Sequence, residues 1–475
     1  MGNIGRRGRC YNPRPLAWYP VDAQLPRRCL TAGFSLVLLL SQLASMAITI
    51  TSRIAPADFC AIDFGTSNSA VALPSDGAQV GVKLVELEAG YTSIPTAVFF
   101  NAEDGTRAFG RAAVQAYVDG YDGRLMRSIK SILGADLMER STEVGLGITV
   151  KYLDVVIAYL RQLKQVAEIA KGGVLKRAVI GRPVFFVDGD PLRDRRAEAT
   201  MAEAARVAGF EEVAFQFEPI AAALDFERTC ESETVVMVAD IGGGTSDFSL
   251  VRVGPQRHAL LDRQSDILAN HGVHVAGTDF DREVSLAAIM PELGFGSAGR
   301  QQARVPGAVY FDLATWHLIN TAYAANRVVE CRLMRSMYAN SLFHDRLLRV
   351  LEQHLGHALA AQAEAAKIAV SESGHADLNL ELVEPGLRPT FDERRQRQAL
   401  GERLHSIVLA AKETLQQGGI AADAVGALYF TGGSTGLTAL TEAISAVLPA
   451  ARRVSGDRFA SVASGLGVYA QRRFR

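Results

Sequence analysis

Two stretches of this chain repeat one motif, and the repeat constrains the fold more than any other feature of the sequence. Residues 63–73 read DFGTSNSAVAL and resemble residues 240–250, which read DIGGGTSDFSL. In each stretch an apolar run ends in Asp, glycine and hydroxyl residues follow, and a second apolar run begins at once. This order predicts a β-hairpin with a glycine-rich turn, in contrast to the strand-to-helix turn of a P-loop or a dinucleotide-binding unit.

Hairpin turns of this composition suit a polyphosphate and a magnesium ion. Glycines let backbone N–H groups approach phosphate oxygens closely, and the hydroxyls of Thr and Ser add further donors. Asp63 and Asp240, which end the first run of each motif, can hold magnesium or its bound water. Two such hairpins that face each other would bind a triphosphate from both sides. Either motif alone would favour an ordinary tight turn, and it is the presence of related loops that favours phosphate binding.

A third glycine-rich segment and the surrounding pattern predict the fold class. Thr431-Gly-Gly-Ser-Thr435 precedes a helical pattern over 437–447, which favours contact with a phosphate or with the base and sugar of a nucleotide. Continuous apolar runs indicate strands that are buried on both faces, and they alternate with helical patterns. The runs are 59–62, 178–180, 235–238 and 427–430, and the helical patterns include 195–208, 345–371 and 398–416. We therefore predict an α/β protein with mixed sheets and helices on both faces.

Composition narrows the classes of function. With 475 residues, of which 48% are hydrophobic and 21% charged, the chain has the composition of a folded globular protein. Its 50 basic and 51 acidic residues give a net charge of −1, so we expect no nucleic-acid partner. The 5 cysteines are widely spaced and form no C-x-x-C motif, which favours a reducing compartment.

Further motifs identify a family resemblance. In this order and spacing, the three glycine-rich segments resemble those of the actin/sugar-kinase/heat-shock ATPase superfamily. Residues 217–224, FEPIAAAL, resemble the Glu-Pro-x-Ala-Ala-Ala segment of the seventy-kilodalton heat-shock chaperones, the DnaK family. Residues 310–317 and 364–371 resemble the short YegD-type members of that family.

The resemblance runs from about residue 58 to 475 and implies an actin-like ATPase fold with two lobes. Each lobe is expected to contain a mixed β-sheet flanked by helices, with the duplicated hairpins as phosphate loops. Lobe I would comprise 58–238 and be completed by 455–475, and lobe II would comprise 239–454 with a helical insertion at about 284–360. No substrate-binding domain is expected after these lobes.

The resemblance also implies roles for individual residues. The catalytic group would contain Lys130, Glu218, Asp240 and Thr245, with Lys130 orienting the attacking water. Asp63 and Asp240 would hold Mg²⁺ mainly through water, and K⁺ is a second candidate ion. ATP would be bound by four sets of residues in the phosphate loops and the adenosine-binding face: Gly65, Thr66 and Ser67; Gly243, Gly244 and Thr245; Glu364, Lys367 and Ser371; and Gly432, Gly433 and Ser434. Ile368 and Gly436 stand where many relatives have arginines that flank the adenine.

These expectations converge on an ATP-binding, slowly hydrolysing, chaperone-like protein. Its partners would be ATP or ADP and an unidentified protein client or co-chaperone. The alternatives are a small-molecule kinase of the sugar-kinase type and a non-hydrolysing, actin-like nucleotide switch. The Glu218-Pro segment and the motif around Lys130 favour the hydrolase.

The N-terminal 57 residues differ in character from the rest. Residues 1–28 contain six arginines and one acidic residue, and 29–52 carry no charge, a pattern typical of a signal peptide or membrane anchor. An ATP-dependent site is best served in the cytoplasm, so we expect a cytoplasmic protein in which 1–45 are dispensable or precede the true start. A chain starting at Met46 is then expected to fold and hydrolyse ATP normally. Membrane association through 29–52 is the alternative.

Overall fold

Alternating strands and helices make up the residues that the computed structural model describes, which are 57–75, 81–187, 189–299, 304–457 and 460–474. The strands are β1 Phe59–Phe64, β2 Asn68–Pro74, β3 Val82–Leu84, β4 Ser93–Pro95, β5 Ala97–Asn101, β6 Arg107–Phe109, β7 Gly123–Arg127, β8 Ser141–Gly145, β9 Ile148–Lys151, β10 Arg177–Arg182, β11 Glu212–Phe217, β12 Thr234–Ile241, β13 Ser246–Val253, β14 Ile267–Val273, β15 His375–Asp377, β16 Thr390–Asp392, β17 Val425–Thr431 and β18 Arg452–Ser455. The α-helices are α1 Gly110–Val118, α2 Tyr152–Lys171, α3 Pro191–Val207, α4 Glu218–Glu227, α5 Gly277–Val284, α6 Ala308–Ala314, α7 Ile319–Ala322, α8 Ala325–Leu333, α9 Ser341–Glu352, α10 Gly356–Ser373, α11 Glu393–Gly418, α12 Thr438–Ser445 and α13 Ser461–Phe474.

The basic and apolar N-terminal segment lies outside the described residues, apart from Ala57. The expectations for a membrane segment at 29–52 and for a start at Met46 therefore remain predictions. Among the helices that the structure describes, none combines the length and the apolar character needed to cross a lipid bilayer.

Both copies of the repeated motif form β-hairpins, and each hairpin is the centre of one β-sheet. The first sheet has the order β11-β10-β1-β2-β3, with β4 added to β2, and the second has the order β14-β13-β12-β17-β18. In both sheets the hairpin is antiparallel, and two parallel strands extend the sheet from its first strand. The repeated motif thus marks a duplicated sheet plan. The predicted α/β fold with mixed sheets flanked by helices is confirmed.

Each sheet is covered on both faces, as the continuous apolar runs predict. Neighbouring residues Ala61 and Ile62 of β1 point to opposite faces, and both are fully buried. The inner faces of both sheets pack against α4 and α13, which lie between the sheets. The outer face of the first sheet packs against α2 and α3, and that of the second against α5, α10 and α11. The turns of both hairpins are therefore held on rigid, fully covered sheets.

The expected lobe boundary after residue 238 lies within β12, which pairs along its length with β13 in the second sheet, and the division into two lobes stays a prediction. One helical pattern differs from the structure. The helical pattern at 345–371 is two helices, α9 and α10, separated at His354, whose φ is +55°. At this break the His354 ring stacks on the Tyr323 ring, with 4.3 Å between the ring centroids. The Gly356 N–H donates a hydrogen bond to the Tyr323 hydroxyl. A tertiary contact outweighs local helical propensity at this point.

A glycine sets the spacing of the two helices between the sheets. A Cβ atom on Gly465 of α13 would lie 1.9 Å from the carbonyl oxygen of Ala221 in α4. We expect Gly465→Ala to lower the free energy of unfolding by about 3 kcal/mol or more, because the added methyl forces the helices apart. Gly401→Ala in α11 is the matched control: a Cβ there meets nothing within 4 Å, so alanine should stabilise by about 0.5–1 kcal/mol. Urea denaturation of both variants measures the difference, and equal stabilities would contradict the packing argument.

Candidate functional site

The turns of the two hairpins face each other across a cleft of about 1530 Å³. The turns are in close contact, since a Cβ atom on Gly243 would lie 2.4 Å from the Ser67 hydroxyl oxygen. Every site residue expected from the sequence lines this cleft: Asp63, Gly65, Thr66, Ser67, Lys130, Glu218, Asp240, Gly243, Gly244, Thr245, Glu364, Lys367, Ser371, Gly432, Gly433 and Ser434. The fold therefore brings together residues that are up to about 370 positions apart in the chain. Their functional roles remain predictions.

The turn of the second hairpin is supported by α5 and by the third glycine segment. The Gly242 carbonyl accepts hydrogen bonds from the Gly277 N–H at 3.2 Å and the Ser434 hydroxyl at 2.6 Å. The Gly243 carbonyl accepts from the N–H and the hydroxyl of Thr278, both at 2.8 Å. Within the described part of the chain, the N–H groups of Gly243 and Gly244 have no hydrogen-bond partner. Unpaired turn N–H groups are what a bound anion requires.

The third glycine segment is held against the second hairpin. Gly432 has a φ of +90°, and a Cβ atom there would lie 2.4 Å from the Ile241 carbonyl oxygen, so only glycine fits. Because the Ser434 hydroxyl donates to Gly242, it has a structural contact in addition to the nucleotide contact expected from the sequence. The segment then leads into α12 through a turn at 433–436.

A lysine–glutamate pair lies at the floor of the cleft. Lys130 is in a turn at Ile129–Ile132, and its Nζ lies 2.6 Å from Oε1 of Glu218, the first residue of α4. Only 10% and 14% of these side chains are exposed, which rules out the alternative of a solvated surface lysine. Burial by itself lowers the pKa of Lys130, but the charges of Glu218 and Asp63 outweigh it and raise the pKa. The lysine therefore keeps its positive charge at neutral pH.

Asp63 and Asp240, the next-to-last residues of β1 and β12, share this floor. Burial, reinforced by the charge of Glu218, raises the pKa of Asp63 to about 7 and that of Asp240 to about 8, although Lys130 opposes both shifts. Asp247 adds a further negative charge beside Asp240. The carboxyl groups of Glu218, Asp63 and Asp240 thus act on one ammonium group, and this excess of acidic groups suits an added cation.

The donor set fits a hydrated magnesium ion. Among the described residues, no group of three or more His, Cys, Asp or Glu side chains converges closely enough to hold a metal directly. Mg²⁺ usually keeps several waters and takes one or two carboxylates together with phosphate oxygens. Asp63 and Asp240 would therefore hold it mainly through water.

The raised pKa values predict how stability depends on pH without nucleotide. An unfolded carboxyl is ionised above pH ~4, whereas folded Asp63 and Asp240 keep their protons up to pH values of about 7 and 8. The folded state therefore binds more protons than the unfolded state in this range, so the free energy of unfolding falls as the pH rises. Stability should fall by on the order of 2 kcal/mol between pH 6 and pH 8. Urea denaturation at both pH values measures the fall, which the double variant Asp63→Asn/Asp240→Asn should largely lose.

The helix α10 presents the residues expected to contact adenosine. Lys367 Nζ lies 2.7 Å from Asp281 Oδ1 on α5. Burial raises the pKa of Asp281 to about 6, against the opposing effect of Lys367. The Ser371 hydroxyl donates to the Lys367 carbonyl within the helix, and Ile368 is exposed to the cleft.

Sequence reasoning missed three residues of this cleft. Asp281 lies 86 positions before Lys367, so no local spacing signals the pair. Arg127 and Trp316 come from opposite sides of the cleft, and the guanidinium lies 4.3 Å from the centre of the indole ring. The Asp281 position has one local signal, the pair of aspartates at 279 and 281, which begins two residues after Gly277, the glycine bonded to the second hairpin.

Comparisons with known proteins agree with this geometry. Residues 59–289 match the family model described as Hsp70 protein. Over 226 residues the chain is 31% identical to the chaperone protein DnaK of Thermosipho melanesiensis. That stretch covers 47% of this chain and 34% of the relative, so the chain matches about a third of the length of this curated protein. The matched residues contain both hairpins, so the comparisons support an Hsp70-family nucleotide-binding domain with the actin-like ATPase fold.

Proposed function

We propose that this chain binds ATP with Mg²⁺ in the cleft and hydrolyses it slowly to ADP and phosphate. The observation that carries the proposal is the contact between the two hairpin turns above a floor formed by Lys130, Glu218, Asp63 and Asp240. A triphosphate in this position would meet N–H donors from one side, hydroxyl donors from the other and an ammonium group below.

Each group has a defined task in this reaction. The N–H groups of Gly243 and Gly244 and the hydroxyls of Thr66 and Thr245 hold the phosphate chain in place. A water molecule attacks the terminal phosphorus, and the bond from that phosphorus to the departing ADP oxygen breaks. The Lys130 ammonium, fixed by Glu218, orients this water and offsets the charge that develops on the phosphoryl oxygens. A bound Mg²⁺ would neutralise phosphate charge.

The biological role that we propose is chaperone-like. Its support is the similarity to a chaperone and the arrangement of α4, which begins at Glu218 in the cleft and packs against α13 between the sheets. A change of nucleotide at Glu218 would be transmitted along α4 to the contact between the lobes. We propose that an unidentified client or co-chaperone senses this change, and that the protein acts in the cytoplasm.

A second candidate function is phosphoryl transfer to a small molecule. The cleft extends along the first lobe beyond the glycine segments, where Tyr91, Arg111 and Phe185 line it. A hydroxyl-bearing substrate in this extension would lie near the end of the triphosphate. None of these three residues carries a carboxylate that could act as the base.

Phosphate release from ATP, measured with and without a panel of sugars, tests these functions. The hydrolase predicts slow release that requires Mg²⁺ and does not change with any sugar. A kinase would instead consume ATP only with one sugar and yield a phosphorylated product. Nucleotide-dependent sedimentation without phosphate release would indicate an actin-like switch, and would contradict the proposal.

A further inference from the structure

Three aromatic rings from opposite sides of the cleft are in contact with one another. Tyr117 lies on α1, which packs on β5 beside the first sheet, whereas His357 lies on α10 and Trp316 follows α6, two helices of the core around the second sheet. The centre of the Tyr117 ring is 5.4 Å from that of Trp316 and 4.8 Å from that of His357, and the Trp316 and His357 rings are 5.2 Å apart. We call these three residues the aromatic bridge, because they join the two sides of the cleft.

The histidine of the aromatic bridge is held in place and uncharged. Its Nε2 lies 3.0 Å from the Asn320 Oδ1, and the residue is only 5% exposed. Burial and the positive charge of Arg127 lower the pKa of His357 to about 4. The ring therefore stays neutral at physiological pH, and the aromatic bridge does not depend on its protonation there.

Arg127 connects the aromatic bridge to the floor of the cleft. Its guanidinium carbon lies 4.3 Å from the centre of the Trp316 ring. Arg127 is the last residue of β7, it lines the cleft together with Trp316, and Lys130 follows three residues later. Among aromatic rings the indole binds a cation over its face best, and the attraction strengthens where water is excluded. The contact with Trp316 therefore restrains the end of β7 that leads to Lys130.

The segment between Arg127 and Lys130 has little conformational freedom. Ser128 has a φ of +56°, in the left-handed region that residues other than glycine rarely adopt. Its carbonyl accepts hydrogen bonds from the Ser131 N–H at 3.0 Å and from the Ser131 hydroxyl at 2.7 Å. These two bonds close the turn that carries Lys130. A displacement of Arg127 is therefore passed on to the Lys130 ammonium, which lies 2.6 Å from Glu218.

We propose that Trp316 and Arg127 are positioning residues for Lys130, because their contact across the cleft holds the turn that directs the lysine at the attacking water. Hydrolysis then requires the aromatic bridge, so that one side of the cleft controls a lysine carried by the other. The inference rests on the proposed function, because it assumes that Lys130 acts in ATP hydrolysis.

The test compares the rate of single-turnover phosphate release with the calorimetric affinity for ATP, both measured on the full chain. Trp316→Leu and Arg127→Met should each slow phosphate release by about tenfold, a factor within the range for the loss of a partly desolvated cation–π contact. The affinity for ATP should change by less than about threefold, because Lys130 is proposed to act mainly in the transition state. The double variant should be no slower than the slower single variant, because both substitutions remove the same contact.

Two further variants separate positioning from a general structural effect. Trp316→Phe keeps a ring face for the guanidinium and should recover most of the wild-type rate. Arg107→Met is the matched control, because Arg107 lies on β6 in the same three-stranded sheet as β7 and its guanidinium carbon is 5.3 Å from the centre of the Phe100 ring, outside the cleft. This substitution should leave phosphate release unchanged.

An unchanged rate in either Trp316→Leu or Arg127→Met would overturn the inference, as would additive losses in the double variant. Parallel losses of rate and affinity would also overturn it, because the contact would then act on nucleotide binding. A wild-type chain that releases no phosphate from ATP would remove the proposed function as well, whereas normal release that Trp316→Leu leaves unchanged would remove the inference alone.

Discussion

Asp240→Ala should lower the rate of ATP hydrolysis by about 10²–10³-fold, the usual scale for the loss of one preorganised electrostatic group. Asp240 is the next-to-last residue of β12, beside the turn of the second hairpin, and its carboxyl group interacts electrostatically with Lys130. In the proposed mechanism, its removal would deprive the bound cation of one of its two aspartate partners. Single-turnover phosphate release at saturating ATP and Mg²⁺ measures the change.

Two further variants make this result specific. Asp240→Asn keeps the shape of the side chain and should lose a similar factor, because the missing charge is responsible. Asp190→Ala removes a different structural aspartate, the N-cap of α3 that accepts from the N–H groups of Leu192 and Arg193. It should cost about 1 kcal/mol of stability and leave turnover unchanged. Normal turnover in Asp240→Ala would refute the assignment of the cleft as an ATPase site.

Lys130→Ala should reduce hydrolysis by about 10²-fold while changing the affinity for ATP by less than about threefold. The reason is that the ammonium, which lies 2.6 Å from Glu218, would in the proposed mechanism act mainly on the attacking water and on charge that exists only in the transition state. Calorimetric affinity for ATP and single-turnover phosphate release, measured on the same variant, separate the two quantities.

The control for this lysine is Lys164→Met. Lys164 is also a buried lysine in an ion pair, with Glu168 on α2, and it does not line the cleft. This substitution should lower stability and leave hydrolysis intact. If affinity and turnover fell in parallel in Lys130→Ala, the lysine would instead bind the ground state of ATP.

Local sequence patterns were sufficient to predict the hairpins and the fold class, because these features depend on residues that are neighbours in the chain. The apolar runs that end in Asp63 and Asp240, each followed by a glycine turn and a second apolar run, predicted both hairpins. Strands that are buried on both faces need continuous apolar runs, so these runs in the sequence also predicted the α/β fold class. The three glycine segments and the Glu218-Pro motif carried the family resemblance, which the match over 59–289 supports.

Only the tertiary structure decided which charges share the cleft. Lys130 and Glu218 are 88 positions apart, and Ser434 and Gly242 are 192 positions apart, so no spacing rule pairs them. The pairing of Lys367 with Asp281 in preference to Glu364 follows from where α5 docks on α10. Another tertiary contact, the stacking of His354 on Tyr323, lies where the helix ends, although the sequence pattern predicts that the helix continues. Sequence periodicity specifies which face of each element is buried, whereas the packing of whole elements selects the partner of each charged side chain.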